Sequence, residues 1–399
     1  MPGSFRSRES HFTTEPPEYG VDKLVIRIFN PTATGVDKQY RVQNEVASMH
    51  VIRMGLARAG TGLEKIIPDI YGWGAERFQG ELNTNIGWIL MEHKEGTPGG
   101  TPTGVHMENL SDQRRSDIMK QLAEILSYIQ RSPLPPTAPD FGGLNILTNG
   151  DIISSAMTTV EGGPWKSYTD FCVDRIRSGI TKFQTDPRTY QFREKFPSSN
   201  IDRLSDLLGD RFPHAHVDIG HRTMIHGALR FENMLFSQNE DTQELEITAL
   251  LDFERAGICH PSQEFIWGLE EVGGNIANFP STSGFFELLV IDAIVSGRFE
   301  NMSSIILSNR ETALRLRAFN WNSFLMAAKA MRPATIPGMA DISQVARLIS
   351  RIYPPCIEGY GRISRRQYAR NYSFALSQLK DCLGYFEILG TDEDGECSV

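Results

Sequence analysis

The chain has 399 residues, 40% of them hydrophobic and 22% charged, a composition that excludes a disordered or fibrous protein. Its net charge of −9 argues against a nucleic-acid partner, because gripping a polyanionic backbone takes a concentrated Lys/Arg surface. The longest apolar stretch, 288–295, is broken by Asp292 and falls far short of the roughly 20 residues that cross a bilayer, so no membrane role is expected.

Residues 1–20 are polar and carry Pro16-Pro17, the pattern of a loose arm. The run Leu24–Phe29, LVIRIF, has the β-branched content of a strand. Beyond Asn30-Pro31, the residues Val42, Val46, Met49, Ile52 and Leu56 recur at helical spacing. Ile86–Glu92, IGWILME, reads as a second strand, and EGTPGGTPTG from Glu95 to Gly104 as a linker. Ser111 then caps a helix with Asp112 in its first turn and Ile118, Leu122, Ile125 and Ile129 on its apolar face. Residues 133–166 are rich in loop formers, and helical patterns resume near Tyr168. MIHGALRFENMLF and LEITALLDF read as short strands around a polar turn at 237–244, and from Pro261 onward the pattern is mostly helical. The order gives an α+β fold in two lobes, strand-rich first and helical second.

Five scattered cysteines without CxxC spacing predict neither a disulfide framework nor a thiolate metal site, and point to a reducing, cytoplasmic compartment. No secretory leader pattern opens the chain. Four histidines, His214, His216, His221 and His226, crowd one segment, but their spacing matches no common zinc signature.

The segment His226-Gly227-Ala228-Leu229-Arg230-Phe231-Glu232-Asn233, followed by Leu250-Leu251-Asp252-Phe253-Glu254, resembles the aminoglycoside phosphotransferase and choline kinase family, in its fungal-type branch. That family has a bilobal protein-kinase-like fold and a catalytic loop H-G-D-x-x-x-x-N, with a metal-binding Asp following a short strand. His226, Gly227, Asn233 and Asp252 stand at the family spacing, whereas Ala228 replaces the loop Asp. The resemblance implies ATP and Mg2+ as cofactors and a small-molecule acceptor with a hydroxyl or amine. Asn233 and Asp252 would be the metal ligands, since magnesium takes hard oxygen donors. The loop Asp orients the acceptor and accepts its proton, which a methyl group cannot do. The catalytic set is then Ala228, marking the absent base, with His226, Asn233 and Asp252. His226 itself reads as a packing and hydrogen-bonding residue of the loop.

Kinase-like folds also hold phosphates with a strand cation paired to a helix Glu. Arg27 and Glu45 fit those places, while Glu45 with Arg53 on the same helix is the local alternative. Met91, Glu92, His93 and Lys94 resemble the segment that joins the lobes and meets the adenine, completing the cofactor-binding set. His260-Pro261-Ser262-Gln263-Glu264 matches the family's P-x-x-D/E motif, whose acid braces the catalytic loop. Gly162-Gly163-Pro164-Trp165 resembles a turn before a helix in fungal-type members.

On this template residues 1–20 are an arm or the remnant of a glycine-rich loop, 21–95 a truncated small lobe, 96–104 a linker, 105–390 a helical lobe with a catalytic hairpin at 224–254, and 391–399 an acidic tail. Only 26 residues precede Arg27, where roughly forty are needed for two strands and a phosphate loop, so weak nucleotide binding is expected. The aromatic and methionine-rich stretch Phe319, Trp321, Phe324, Leu325, Met326 and Met331 reads as core. Function follows as an ATP-dependent small-molecule phosphotransferase, inactive or strongly impaired through Ala228. The alternatives are a nucleotide-sensing pseudokinase, or a kinase-fold pocket with non-phosphoryl chemistry. Oligomeric state is not predicted.

Overall fold

Strand β1 (Leu24–Ile28) opens the regular structure and leads into helix α1 (Arg41–Ala57). The structure is a computed structural model that describes residues 11–30, 39–75, 77–79, 82–158, 160, 162–187, 218–240, 244–269, 272, 276, 285–300 and 309–352. Expectations for the start of the chain, for His214 and His216 and for the acidic tail lie outside the described residues. The chain forms two compact units, Met1–Lys166 with His221–Gly274 and Ala313–Arg332, and Ser167–Gly220 with Asn275–Thr312 and Pro333–Val399. This division does not follow the glycine-rich stretch at 96–104.

In the first unit, β2 (Ile70–Gly74), the hairpin β3 (Arg77–Gln79) and β4 (Leu82–Asn85), and β5 (Trp88–Glu92) follow α1. One sheet has the order β1-β5-β2, all antiparallel, with Val25 opposite Met91 and Arg27 opposite Ile89. Alternation along the strands puts these four residues on one face, where Ile89 and Met91 are buried. Helix α1 shows the expected stripe, with Val42, Val46, Met49, Ile52 and Leu56 all buried. It is also buried at Asn44, Glu45, Ala47, Ser48 and Val51, so it runs through the interior with protein on most sides.

The glycine-rich piece is a packed turn. It contains strand β6 (Thr97–Pro98), paired with β10 (Met234–Gln238), and Gly99 N–H donates to the Met234 carbonyl at 3.1 Å. A Cβ at Gly99 would fall 2.4 Å from the Phe231 oxygen, so only glycine allows this approach. Helix α2 (Asp112–Gln130) begins at Ser111, whose hydroxyl accepts from Arg114 N at 3.3 Å, and buries Ile118, Leu122, Ile125 and Ile129. Within the loop-rich stretch, β7 (Gly143–Ile146) and β8 (Ile152–Ser155) form a hairpin against α1.

Strand β9 (Thr223–Ile225) pairs with β12 (Gly257–Cys259), and β10 pairs with β11 (Leu245–Leu250) across the expected polar turn. In the second unit a capping box of Ser167 and Asp170 starts α3 (Tyr168–Thr185), just after the Gly162–Trp165 turn. The short α4 (Ser262–Trp267) belongs to the first unit, and α5 (Phe285–Ser296) to the second. Most of α6 (Asn309–Ala327) lies in the first unit, with Trp321 and Leu325 buried and Phe319 and Met326 exposed. Helix α7 (Met339–Ile352) packs with α3 and α5 in the second unit. Among the described residues no helix is long and apolar enough to cross a membrane.

Candidate active site

The β10–β11 hairpin brings two distant stretches of sequence to one end. Asn233 immediately precedes β10 and Asp252 lies just beyond β11, and an antiparallel pair places such positions side by side. The junction is closed by Leu251 N–H donating to the Asn233 carbonyl at 2.9 Å. Asp252 adopts the left-handed conformation, φ 64° and ψ 67°, which Asp tolerates better than bulkier residues. The Asn233 side-chain amide donates to the Ala228 carbonyl at 2.9 Å, which commits its nitrogen and leaves its oxygen as the remaining donor atom. Ala228 is buried, and its methyl group occupies the third place of the loop.

Arg27 on β1 is the centre of charge. Its Nη1 donates to Glu45 Oε1 at 2.7 Å, and its Nη2 to Asp252 Oδ1 at 2.7 Å and Glu254 Oε2 at 3.1 Å. Arg53 turns elsewhere, to Asp69 at 2.8 Å and to the carbonyls of Ile67 and Pro68. Burial works against the Arg27 charge, but Glu45, Asp252 and Glu254 outweigh it and hold its pKa above the ordinary value. Glu45 is 1% exposed, and burial pushes its pKa up to about 7 against the pull of Arg27.

The loop before Asn233 is fastened from beneath. The buried Glu264 carboxylate accepts from the backbone amides of His226 at 2.7 Å and Gly227 at 3.2 Å. Burial raises the Glu264 pKa, opposed by these amides and that of Leu229. Gly227 has φ 73°, and a Cβ there would lie 2.3 Å from the Arg255 oxygen, so the loop requires glycine at this point. His226 is completely buried beside Phe253, with Nε2 3.1 Å from the Leu251 carbonyl. Burial lowers its pKa to about 4, which keeps the ring neutral, with Nε2–H as the donor.

Met91 lies buried on the same sheet face as Arg27. Glu92, His93 and Lys94 follow it and interact with their own surroundings. Glu92 accepts from Asp69 N–H at 3.1 Å and pairs with Lys94 at 2.8 Å, and His93 lies 3.5 Å from Glu95. The sequence stretch therefore divides in space between the ion cluster of Arg27, Glu45 and Asp252, the loop of His226, Ala228 and Asn233 beside it, and the strand end at 91–94.

Three contributors were given no role by the sequence: Glu254, although it stands in the 250–254 motif, Asn44 and Thr158. Glu254 joins the cluster from two residues beyond Asp252, a position that the turn Phe253–Arg255 places on the same side. Asn44, fully buried on α1, donates to the carbonyls of Ala256 at 2.9 Å and Glu254 at 3.3 Å, and accepts from Leu144 N–H at 2.6 Å. The Thr158 hydroxyl donates to the same Glu254 carbonyl.

The donor set fits a magnesium ion. One guanidinium stands among three carboxylates, so negative charge is in excess, and the hairpin brings the backbone of Asn233, whose side chain carries a neutral oxygen, next to Leu251, the residue before Asp252. Hard oxygen donors of this kind, few in number and shared with phosphates, are what magnesium takes. Among the described residues no group of three His, Cys, Asp or Glu forms an all-protein metal cage.

Comparison with known proteins gives one family and distant structural neighbours. No curated protein matches the chain. Ethanolamine kinase of Plasmodium vivax is 12% identical, with 92% of this chain and 77% of that chain covered and a TM-score of 0.40. The GDP complex of wild-type aminoglycoside 2'-phosphotransferase-IIIa is 13% identical, with coverage of 91% and 86% and a TM-score of 0.40. A thermostable mutant of aminoglycoside phosphotransferase APH(4)-Ia, in ternary complex with AMP-PNP and hygromycin B, is 14% identical, with coverage of 84% and 96% and a TM-score of 0.35. The family model is decisive, since it matches residues 3–278, spanning the Arg27 strand, the 226–233 loop and the Asp252 turn. The chain therefore belongs to the APH phosphotransferase enzyme family, with its α+β kinase-like fold.

Proposed function

We propose that this chain is an ATP-dependent kinase of a small-molecule alcohol or amine whose nucleotide and metal groups are kept and whose catalytic base is lost. The observation that carries the reading is the convergence of Arg27, Glu45, Asp252 and Asn233 around a loop whose third residue is Ala228. Membership of the phosphotransferase family supports a nucleotide as the phosphate source. Bound magnesium supplies charge neutralisation at the β- and γ-phosphates. Arg27, held by Glu45, orients the phosphates, while Asp252 and the Asn233 oxygen hold the cation. Met91 to Lys94 border the base. Glu264 keeps the loop amides in place, and nothing at Ala228 can accept the acceptor's proton. General-base loss costs on the order of 10² to 10⁴ in rate.

The test compares the chain with Ala228→Asp, measuring ATP consumption over a panel of hydroxyl and amine metabolites and thermal stabilisation by ATP with magnesium. Turnover rising by about 10² or more in the Asp form supports a disabled kinase. Stabilisation of both forms without turnover in either would favour the second reading, a nucleotide-sensing pseudokinase, which the same alanine motivates. Absence of nucleotide binding in both forms overturns the proposal. A cytoplasmic location belongs to the same reading.

A further inference from the structure

The two nitrogens of the Arg27 guanidinium are used differently. Among the described residues Nη1 serves Glu45 alone, while Nη2 is shared by Asp252 at 2.7 Å and Glu254 at 3.1 Å. Those two acceptors are not equivalent. Asp252 has a side chain 38% exposed and is the carboxylate a cation would claim, whereas Glu254 is 20% exposed. Glu254 also sits on a fastened turn, its carbonyl taking hydrogen bonds from the buried Asn44 amide and the Thr158 hydroxyl.

We propose that Glu254 is a positioning residue that keeps Arg27 aimed when Asp252 is drawn onto the metal. With Glu45 on one nitrogen and Glu254 on the other, the planar fork keeps two anchors after Asp252 leaves. A lysine at this place has one nitrogen and no fixed plane, so the arrangement depends on arginine. The ligand in this inference rests on the kinase reading, but the anchoring of Arg27 does not.

The test uses the full chain with Glu254→Gln, which keeps the side-chain size and removes the charge, and Glu254→Asp, which keeps the charge on the same turn. One readout needs no nucleotide: the 15N signals of the Arg27 guanidinium in Asp252→Ala, which leaves Glu254 as the described carboxylate on Nη2, assigned by their loss in Arg27→Lys. Restricted rotation gives separate Nη signals in Asp252→Ala, and these merge when Glu254→Gln is added. The other is titration of a fluorescent ATP analogue at stepped magnesium concentrations. Glu254→Gln is expected to weaken nucleotide binding at saturating magnesium by roughly ten-fold, with the magnesium midpoint unchanged and partial recovery in Glu254→Asp. An unchanged guanidinium spectrum overturns the proposal. So does a shifted magnesium midpoint with unchanged affinity at saturation, which would make Glu254 a metal ligand. If no form binds nucleotide, the kinase reading fails and the guanidinium spectrum alone decides the role of Glu254.

Discussion

His226 shows how a motif histidine can serve without exchanging protons. Its ring is fully buried and its pKa lies at about 4 against an ordinary 6.5, with burial as the first cause. A histidine depressed in the folded state costs stability as pH falls through its unfolded value, because the unfolded chain binds the proton first. The contribution is intact above about pH 6.5 and drains away toward pH 4. Between pH 7 and pH 5 this amounts to about 2 kcal/mol. Glu45, raised to about 7, acts in the opposite sense over the same window, since the folded state holds its proton more firmly. The informative quantity is therefore the difference between wild type and His226→Asn in urea unfolding at the two pH values. Relative to wild type, the variant is expected to gain about 2 kcal/mol on acidification; an unchanged difference would contradict a buried, neutral ring.

At the scale of elements, fixed spacing made the loop and the Asp252 turn legible, because a short hairpin joins them and antiparallel pairing brings its ends together. The stripe of α1 was legible for the same reason, since its period records one buried face. Of its other buried residues, Glu45 was legible through its expected pairing with Arg27, 18 residues away, whereas Asn44 was not, since its partner at Ala256 lies 212 residues away. Glu254 was printed in the motif but had no readable role, because its partner is 227 residues distant. Asn44→Ala would strip the carbonyls of Ala256 and Glu254 and the amide of Leu144 of their partner. A loss of about 3 kcal/mol is expected in chemical denaturation. The 96–104 turn misleads composition, since Gly99 and Gly104 serve close packing. Gly99→Ala, with its Cβ against the Phe231 oxygen, should cost about 1 to 3 kcal/mol. Gly220→Ala, whose nearest neighbour would be 3.8 Å away, serves as the control and should stay within about 0.5 kcal/mol.

For the whole molecule, the notable surface is β1. Among the described residues it pairs with β5 alone, and Leu24, Ile26 and Ile28 are 47%, 57% and 63% exposed. An apolar strand with one open edge invites pairing between molecules. Converting Ile26 and Ile28 together to Lys should raise the concentration at which the chain stays monodisperse by light scattering. Unfolding free energy should stay within about 0.5 kcal/mol of the parent, as for other exposed sites. The same strand has a second consequence. Arg27 meets Glu45 because it has the same parity along β1 as Val25, and Ile26 has the other. A single residue inserted between Val25 and Ile26 would exchange the faces, turning the guanidinium away from α1 and an isoleucine inward. The charge chemistry of the site is thus written as an odd-or-even count along five residues, and one inserted residue erases it without removing any of its side chains.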